Sequence, residues 1–473
     1  MFRLRTQTEI DAKYIFVVAY MVAMFSSGVP PEVVVYILAD EKFFSPYRDY
    51  MKRIRVLVSG YRYKFQSAAN RISRFVTVTP FKEFLVRFGQ AVAFGDNMES
   101  YLSREVDVAL SEYNANMMRK LESMNNFLAI FGTLNSSLVF LMADVTIISL
   151  LYSAGETLIR LVFLAVVAVA GTMGIFMYSL YKPETYVVRS RLDNYLALFV
   201  VMVTVSVSFL VGNFEVVMAS GVLLTTMGLW YRVKENRINS VERHYVLFVR
   251  YFSRNYSVIG NLRESMYSVM RGELGSLRPF VVRAIRRLEM GVDKDKVLSL
   301  LGDESGSVLI QMMNKVITTT VTLGGKVKEV GEMLSKVGDS ILNVRSRREQ
   351  NGRAFESTMY ALQAASAGVS AALISITGIL DKLFQLPSVS SVFAFTPIDI
   401  GGVERLLLTL LVALSYTNGL GISVAYGRSM HASLYFMGVL LLISGLTFHI
   451  ALILTGRIFG ALYSPGGIIT PGP

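Results

Sequence analysis

Arg278-Pro-Phe-Val-Val-Arg-Ala-Ile-Arg-Arg-Leu-Glu-Met-Gly291, continued by Val292-Asp-Lys-Asp-Lys-Val-Leu-Ser-Leu-Leu-Gly302, is the stretch from which the fold is read. It describes two helices with a basic outer face. Pro279 suits a first helical turn, Val281, Ala284, Ile285 and Leu288 recur on one helix face, and Gly291 is placed to end the helix. Arg283, Arg286 and Arg287 fall on the opposite face. A weaker copy lies far upstream, where Ile54-Arg-Val-Leu-Val-Ser-Gly60 lines up with Ile285-Arg-Arg-Leu-Glu-Met-Gly291.

The copy extends beyond those seven residues. Gly28, Gly60 and Gly95 are spaced almost as Gly260, Gly291 and Gly324 are, at intervals of 32 and 35 against 31 and 33. Such glycines fit helix ends, where a left-handed residue closes the turn and lets the next helix pack closely. An internal duplication is expected.

Each copy leads into apolar helices. The chain is 53% hydrophobic and 17% charged, which indicates a polytopic membrane protein. Residues 1–126 read as a helical bundle and 127–231 as four spans, near Phe127–Tyr152, Leu161–Tyr181, Tyr195–Val211 and Phe214–Tyr231, the last two joined by a tight turn at Gly212-Asn213. Residues 232–354 read as a second, strongly basic bundle, with 22 Lys and Arg against 13 Asp and Glu. Residues 355–457 carry three spans, near Thr358–Leu380, Leu406–Gly427 and His431–Gly456, and 458–473 are a Pro/Gly-rich tail expected to be loose. The apolar run Tyr14–Phe25 is too short to span a bilayer and is expected to be a buried amphipathic helix rather than a cleaved signal. Strand signals are few, so the expected class is all-α with about seven transmembrane helices and two related cytoplasmic bundles. Placing both polar regions in the cytoplasm puts 43 of the 47 Lys and Arg inside and the C-terminus outside the cell membrane.

This layout resembles the F-protein family of type II secretion and type IV pilus systems, on its archaeal branch. The resemblance rests on Ser27-Gly28-Val29-Pro30-Pro31 after an apolar helix, on Ile259-Gly260-Asn261-Leu262-Arg263-Glu264-Ser265-Met266, on Leu288-Glu289-Met290-Gly291, and on Leu323-Gly324-Gly325-Lys326-Val327 before a long helix. Bacterial members have about three spans; the additional hydrophobic helices here fit the archaeal branch. The resemblance implies a non-enzymatic platform for an archaellum or archaeal pilus, with a cytoplasmic secretion ATPase and pilin or archaellin subunits as partners. A secondary transporter or channel is the rival class, and it predicts polar residues converging at mid-membrane.

Catalytic chemistry is absent from the pattern. There is no cysteine, and His244, His431 and His449 form no metal or triad motif, so neither cofactor nor metal is expected. Gly324-Gly325-Lys326-Val327 lacks the upstream glycine and the Ser or Thr of a phosphate loop. The expected ATPase-binding surface is Arg283, Arg286, Arg287, Lys294, Lys296, Lys326 and Lys328, because clustered cations complement an acidic protein. Arg48, Lys52 and Arg55 form a secondary face, while Arg345, Arg347 and Arg348 are placed to meet anionic lipid. Because both bundles are rooted in membrane helices, nucleic acid recedes as a partner.

Asp144 is the one acid deep in an expected span, and a hydrogen-bonded Asp against Ser or Thr at a helix contact is the simpler reading of it. The small-residue run Ala361, Ala364, Ala365, Ala367, Gly368 and Ala371 suits close packing, whether within the subunit, in a homodimer or against a pilin helix. The apolar loop 381–402 is expected at the outer surface, against pilin subunits or packed on itself.

Overall fold

An apolar helix without a polar face has to be enclosed, and α1 (Ala12–Phe25) is such a helix. Asp11 caps its start by accepting a hydrogen bond from the Tyr14 N–H at 3.0 Å. From Tyr14 to Met24 no side chain is more than 4% exposed. The sequence pattern suggested an amphipathic helix; the structure surrounds it on every side. In the computed structural model, which describes residues 11–151, 155–181, 191–211, 214–384 and 400–462, every regular element is helical.

The helices that enclose α1 come from both polar regions. The first supplies α2 (Pro31–Asp40), α3 (Tyr47–Arg55), α4 (Phe65–Ser73), α5 (Thr79–Phe94) and the start of α6 (Met98–Leu151). The second supplies the end of α9 (Phe214–Ile259), then α10 (Leu262–Val269), α11 (Arg278–Glu289), α12 (Lys294–Glu304), α13 (Val308–Thr322) and the start of α14 (Val327–Phe384). Two related bundles were expected over 1–126 and 232–354, with their packing against each other unspecified by the sequence. Residues 1–121 and 235–346 form one compact unit with one continuous hydrophobic core. Tyr14 meets Phe81 and Phe84 edge-on, Tyr20 lies against Phe44, and α13 of the second region packs along α1.

The element order α1–α6 recurs as the end of α9 through α14, with glycines at the same joints. Gly28, Gly95, Gly260, Gly291 and Gly324 all adopt φ between 69° and 78°, a left-handed conformation that costs other L-residues energy. A Cβ added at any of these five would meet nothing, so dihedral angle and not close packing demands glycine there. Gly60 departs from the pattern. The chain from Val56 to Gly60 winds as a π turn, and the left-handed residue is Arg62, φ 54°.

The two copies also touch at equivalent places. Lys326 donates to Glu99 at 2.9 Å, Lys336 to Asp107 at 2.7 Å and Ser340 to Asn114 at 2.8 Å. These partners are 227, 229 and 226 residues apart, nearly the 229 that separate Gly95 from Gly324. A near-constant offset means that α6 and α14 run parallel with corresponding positions face to face. Acids on one copy oppose lysines on the other, as a paired duplication requires where an identical pair would set like charges together.

The second unit holds residues 122–185, 189–234 and 347–473, so its boundaries with the first fall within α6, α9 and α14. It adds α7 (Gly155–Leu180), α8 (Arg191–Val211), α15 (Ile400–Tyr426) and α16 (Ser433–Leu462). Six helices among the described residues are long and apolar enough to cross a membrane: α6, α7, α9, α14, α15 and α16. The expected third span lies in α8, whose apolar run is described as Tyr195–Thr204. The turn at Gly212-Asn213, most of the 381–402 loop and the tail from residue 463 on lie outside the described residues, while 458–462, expected to be loose, continue α16 as helix. α15 is this unit's enclosed helix, with 89% of its most apolar stretch buried.

Small residues bring two of these helices close, but not the expected ones. Gly368 faces open space and Ala361 and Ala365 are exposed, although Ala367 and Ala371 are buried. One close approach is between α9 and α16. A Cβ at Gly228 would collide with the backbone of Tyr435, and one at Gly438 with the backbone of Thr225; Gly221 and Gly445 lie seven residues further along each helix. Gly228→Val therefore lowers thermal stability in detergent by about 1–3 kcal/mol or prevents accumulation, whereas Gly368→Ala is neutral or mildly stabilising. Equal tolerance at both positions, in melting curves of the two variants, would contradict this packing.

Candidate partner-binding surface

The basic residues singled out in the sequence occupy the first unit, but they are not equally available. In the α11–α12 hairpin, Arg283 and Arg287 both reach Glu304, Arg283 through Nε at 2.9 Å. Burial raises the Glu304 pKa, yet the hydrogen bonds from the two guanidiniums prevail and hold its carboxyl below the usual range. Arg286, Lys294, Lys296 and Lys328 are exposed, with no ionic partner among the described residues. Lys326 is spoken for by Glu99, whose hydrogen bond and charge raise its pKa. The α11–α12 stretch is also less basic than its arginines suggest, because six cations between Arg278 and Glu304 stand beside five acids.

Lys296 stands at a cleft of about 670 Å³ formed by α12, α13 and the segment after α2. Its other charged groups are matched internally. Lys315 pairs with Glu41 at 2.7 Å, Thr322 donates to Asp295 at 2.5 Å and Gln311 to Asp303 at 3.1 Å. No group of acids or histidines able to hold a metal occurs among the described residues.

In the secondary face, Arg48 donates to the Ala39 carbonyl at 3.1 Å and Arg55 pairs with Asp40 at 2.8 Å, while Lys52 is exposed with no ionic partner among the described residues. The lipid-facing reading of Arg345, Arg347 and Arg348 needs correction. Arg345 turns inward to Glu242, a carboxylate 1% exposed that Ser307 also engages. Arg348 donates to the carbonyls of Val424, at 2.8 Å, and Tyr181, and lies against Gly427. A buried acid and backbone carbonyls engage these two side chains, so of the three only Arg347 stays exposed.

Asp144 was read as an acid at a helix contact with Ser or Thr. It sits on the outward face of α6 with Phe140, Leu141, Ile147 and Ile148, and no described Ser or Thr hydroxyl reaches it. The buried polar contacts of this unit lie elsewhere, at positions the sequence reading passed over. Asn135 donates to Asn418 at 2.6 Å, Asn418 to Gln363 at 2.9 Å, and Gln363 to Ser444 at 2.7 Å and Ser415 at 3.0 Å. The chain ties together α6, α14, α15 and α16. Its sequence signal was available, because Asn135, Gln363 and Asn418 are amides inside apolar runs, where an unpaired one is costly.

Residues 17–145 match the sequence profile described as Type II secretion system (T2SS), protein F, covering the first repeat and the apolar run that follows it. The chain is 21% identical to Flagella accessory protein J of Methanocaldococcus jannaschii, over 86% of this chain and 78% of that protein. It is 20% identical to the Flagella accessory protein J of Methanococcus voltae, over 84% of this chain and 76% of the relative. No solved structure matches it.

The amide network makes a quantitative test. Gln363→Leu and Asn418→Leu each cost about 1–3 kcal/mol because partners are left unsatisfied, and the double variant costs clearly less than the sum. Additive losses in a double-mutant cycle of detergent melting would show that the two amides do not share a network.

Proposed function

We infer that this chain, a member of the type II secretion system protein F family on its archaellum branch, is the membrane assembly platform of a type IV pilus-like filament machine. The observation that carries the reading is the repeated six-helix arrangement. Two copies share one core, run on into membrane helices, and the first copy matches the protein F profile. The name shared by the two relatives, Flagella accessory protein J, supports a filament of the archaellum kind.

In this reading both repeats face the cytoplasm, as the concentration of Lys and Arg in them favours. A secretion ATPase supplies the energy, since the chain carries no phosphate loop and the described residues hold no candidate metal site. Its strokes act on basic surfaces of the repeats. α14 is continuous from Val327 to Phe384 and carries the displacement to the apolar helices, which admit or lift a pilin-like subunit. An unbroken helix suits this role because its backbone hydrogen bonds resist compression along the axis.

A transporter needs polar groups converging within the membrane helices. Asn135, Gln363 and Asn418 converge, but they satisfy one another and none of them ionises, so they serve packing better than transport. The structure adjusts which cations to test. Charge reversal at Arg286, Lys294 and Lys296 lowers co-purification of the cognate secretion ATPase about tenfold at roughly 0.15 M salt, with the effect fading as salt rises. Undiminished ATPase binding and filament assembly by a variant that still accumulates would overturn docking on this face.

A further inference from the structure

The least compensated surface of the first unit belongs to the first repeat, at the corner that corresponds to the α11–α12 hairpin. Between Met51 and Lys82 the chain carries eight cations and no acid. Only Arg55 finds a carboxylate, Asp40 from outside the segment. Lys52, Arg53, Arg62, Lys64, Arg71, Arg74 and Lys82 are all exposed, and none has an ionic partner among the described residues. Exposed aromatic side chains are interleaved with them, Tyr61 at 70%, Phe75 at 63% and Tyr63 at 38%.

The backbone of this corner is held in an uncommon shape. The π turn over Val56–Gly60 pushes Tyr61 to Lys64 outward, and Arg62 stays left-handed without being glycine, at a cost on the order of 1–3 kcal/mol. Tyr63 N–H donates back to the Leu57 carbonyl at 3.1 Å, which closes the loop. The Arg71 guanidinium donates to the Tyr63 hydroxyl at 3.2 Å and lies 5.8 Å from its ring centre. At the corresponding corner of the second repeat a left-handed Gly291 closes the turn without a π turn, and the cations there are nearly balanced by acids. The two corners have diverged in shape and in charge.

We propose that the corner formed by residues 52–75 is a docking surface for an acidic protein surface, with Tyr61, Tyr63 and Arg71 as its anchors. Six cations without an ionic partner among the described residues call for carboxylates, and Arg pairs with them through two parallel hydrogen bonds. Arginine and tyrosine on a fixed backbone are the side chains that dominate protein interfaces. A lipid surface calls for a cluster of apolar side chains, whereas the outward loop Tyr61-Arg62-Tyr63-Lys64 has no Leu, Phe or Trp and only Val56 and Phe75 are exposed beside it. The inference rests on the platform reading only in taking the partner to be a soluble protein on the side of the repeats.

The test places a photoreactive phenylalanine analogue at Tyr61 in the full-length protein in its native membrane. The expected product is an adduct that maps to an Asp- and Glu-rich segment of a soluble protein. Arg53→Glu, Arg62→Glu and Arg71→Glu together reduce its yield at least tenfold, and the corresponding lysine substitutions, which keep the charge but lose the paired hydrogen bonds, reduce it by less. Adducts only with lipid, nucleic acid or a second copy of this chain overturn the proposal, as does a yield indifferent to charge reversal. An acidic partner that hydrolyses no ATP supports this surface and leaves ATPase docking on α11–α12 to its own test. Co-purification of the ATPase without any adduct at Tyr61 overturns this surface and leaves the platform reading standing.

Discussion

The structure depends on the enclosure of α1. Eleven consecutive side chains from Tyr14 to Met24 are apolar or aromatic, and each large one left in water forfeits about 1.5–3 kcal/mol. α2, α3 and α5 lie against α1 within its own repeat, and α13 from the second repeat covers it as well. The second repeat's counterpart of α1, the end of α9, stays amphipathic, with Leu247, Tyr251 and Val258 exposed. Two bundles that would otherwise stand apart are thereby committed to one core. The parallel pairing of α6 with α14 and the Glu41–Lys315 bridge follow from that commitment.

The membrane unit uses a related arrangement with different forces. α15 is enclosed as α1 is, but among helices that are themselves apolar, so burial alone gives little preference for one neighbour over another. Specific contacts choose the neighbours: glycines at seven-residue spacing on α9 and α16, and the amide chain through Asn135, Gln363 and Asn418. Arg348 adds a third, by donating to two backbone carbonyls.

Much of this was legible in the sequence. Glycine spacing revealed the repeat, and apolar runs located the spans. The conformation of five of the six glycines followed from their place at helix ends. Gly60 did not follow, because nothing local distinguishes a π turn from an ordinary helix end. The merging of the repeats was hidden because α1 had been read as a buried amphipathic helix, with one face to cover, although its run from Tyr14 to Met24 holds no charge. Counting arginines favoured α11–α12 as the basic face. Which acids lie within reach is a property of the fold: Glu304 folds back on Arg283 and Arg287, while no acid returns to residues 52–75 except Asp40. Function was legible chiefly through the family resemblance, since helical surfaces carry no catalytic signature.

The central claim is that the two repeats of one chain close on each other along α6 and α14. Because the chain has no cysteine, a single engineered pair reports on it without background. Asn114 and Ser340 hydrogen-bond at 2.8 Å, so Asn114→Cys with Ser340→Cys should form a disulfide within the monomer under mild oxidation. Denaturing gels should show a monomer of altered mobility, reversed by reductant and absent from either single variant. A double variant that stays reduced, or that crosslinks only into dimers, would contradict the account.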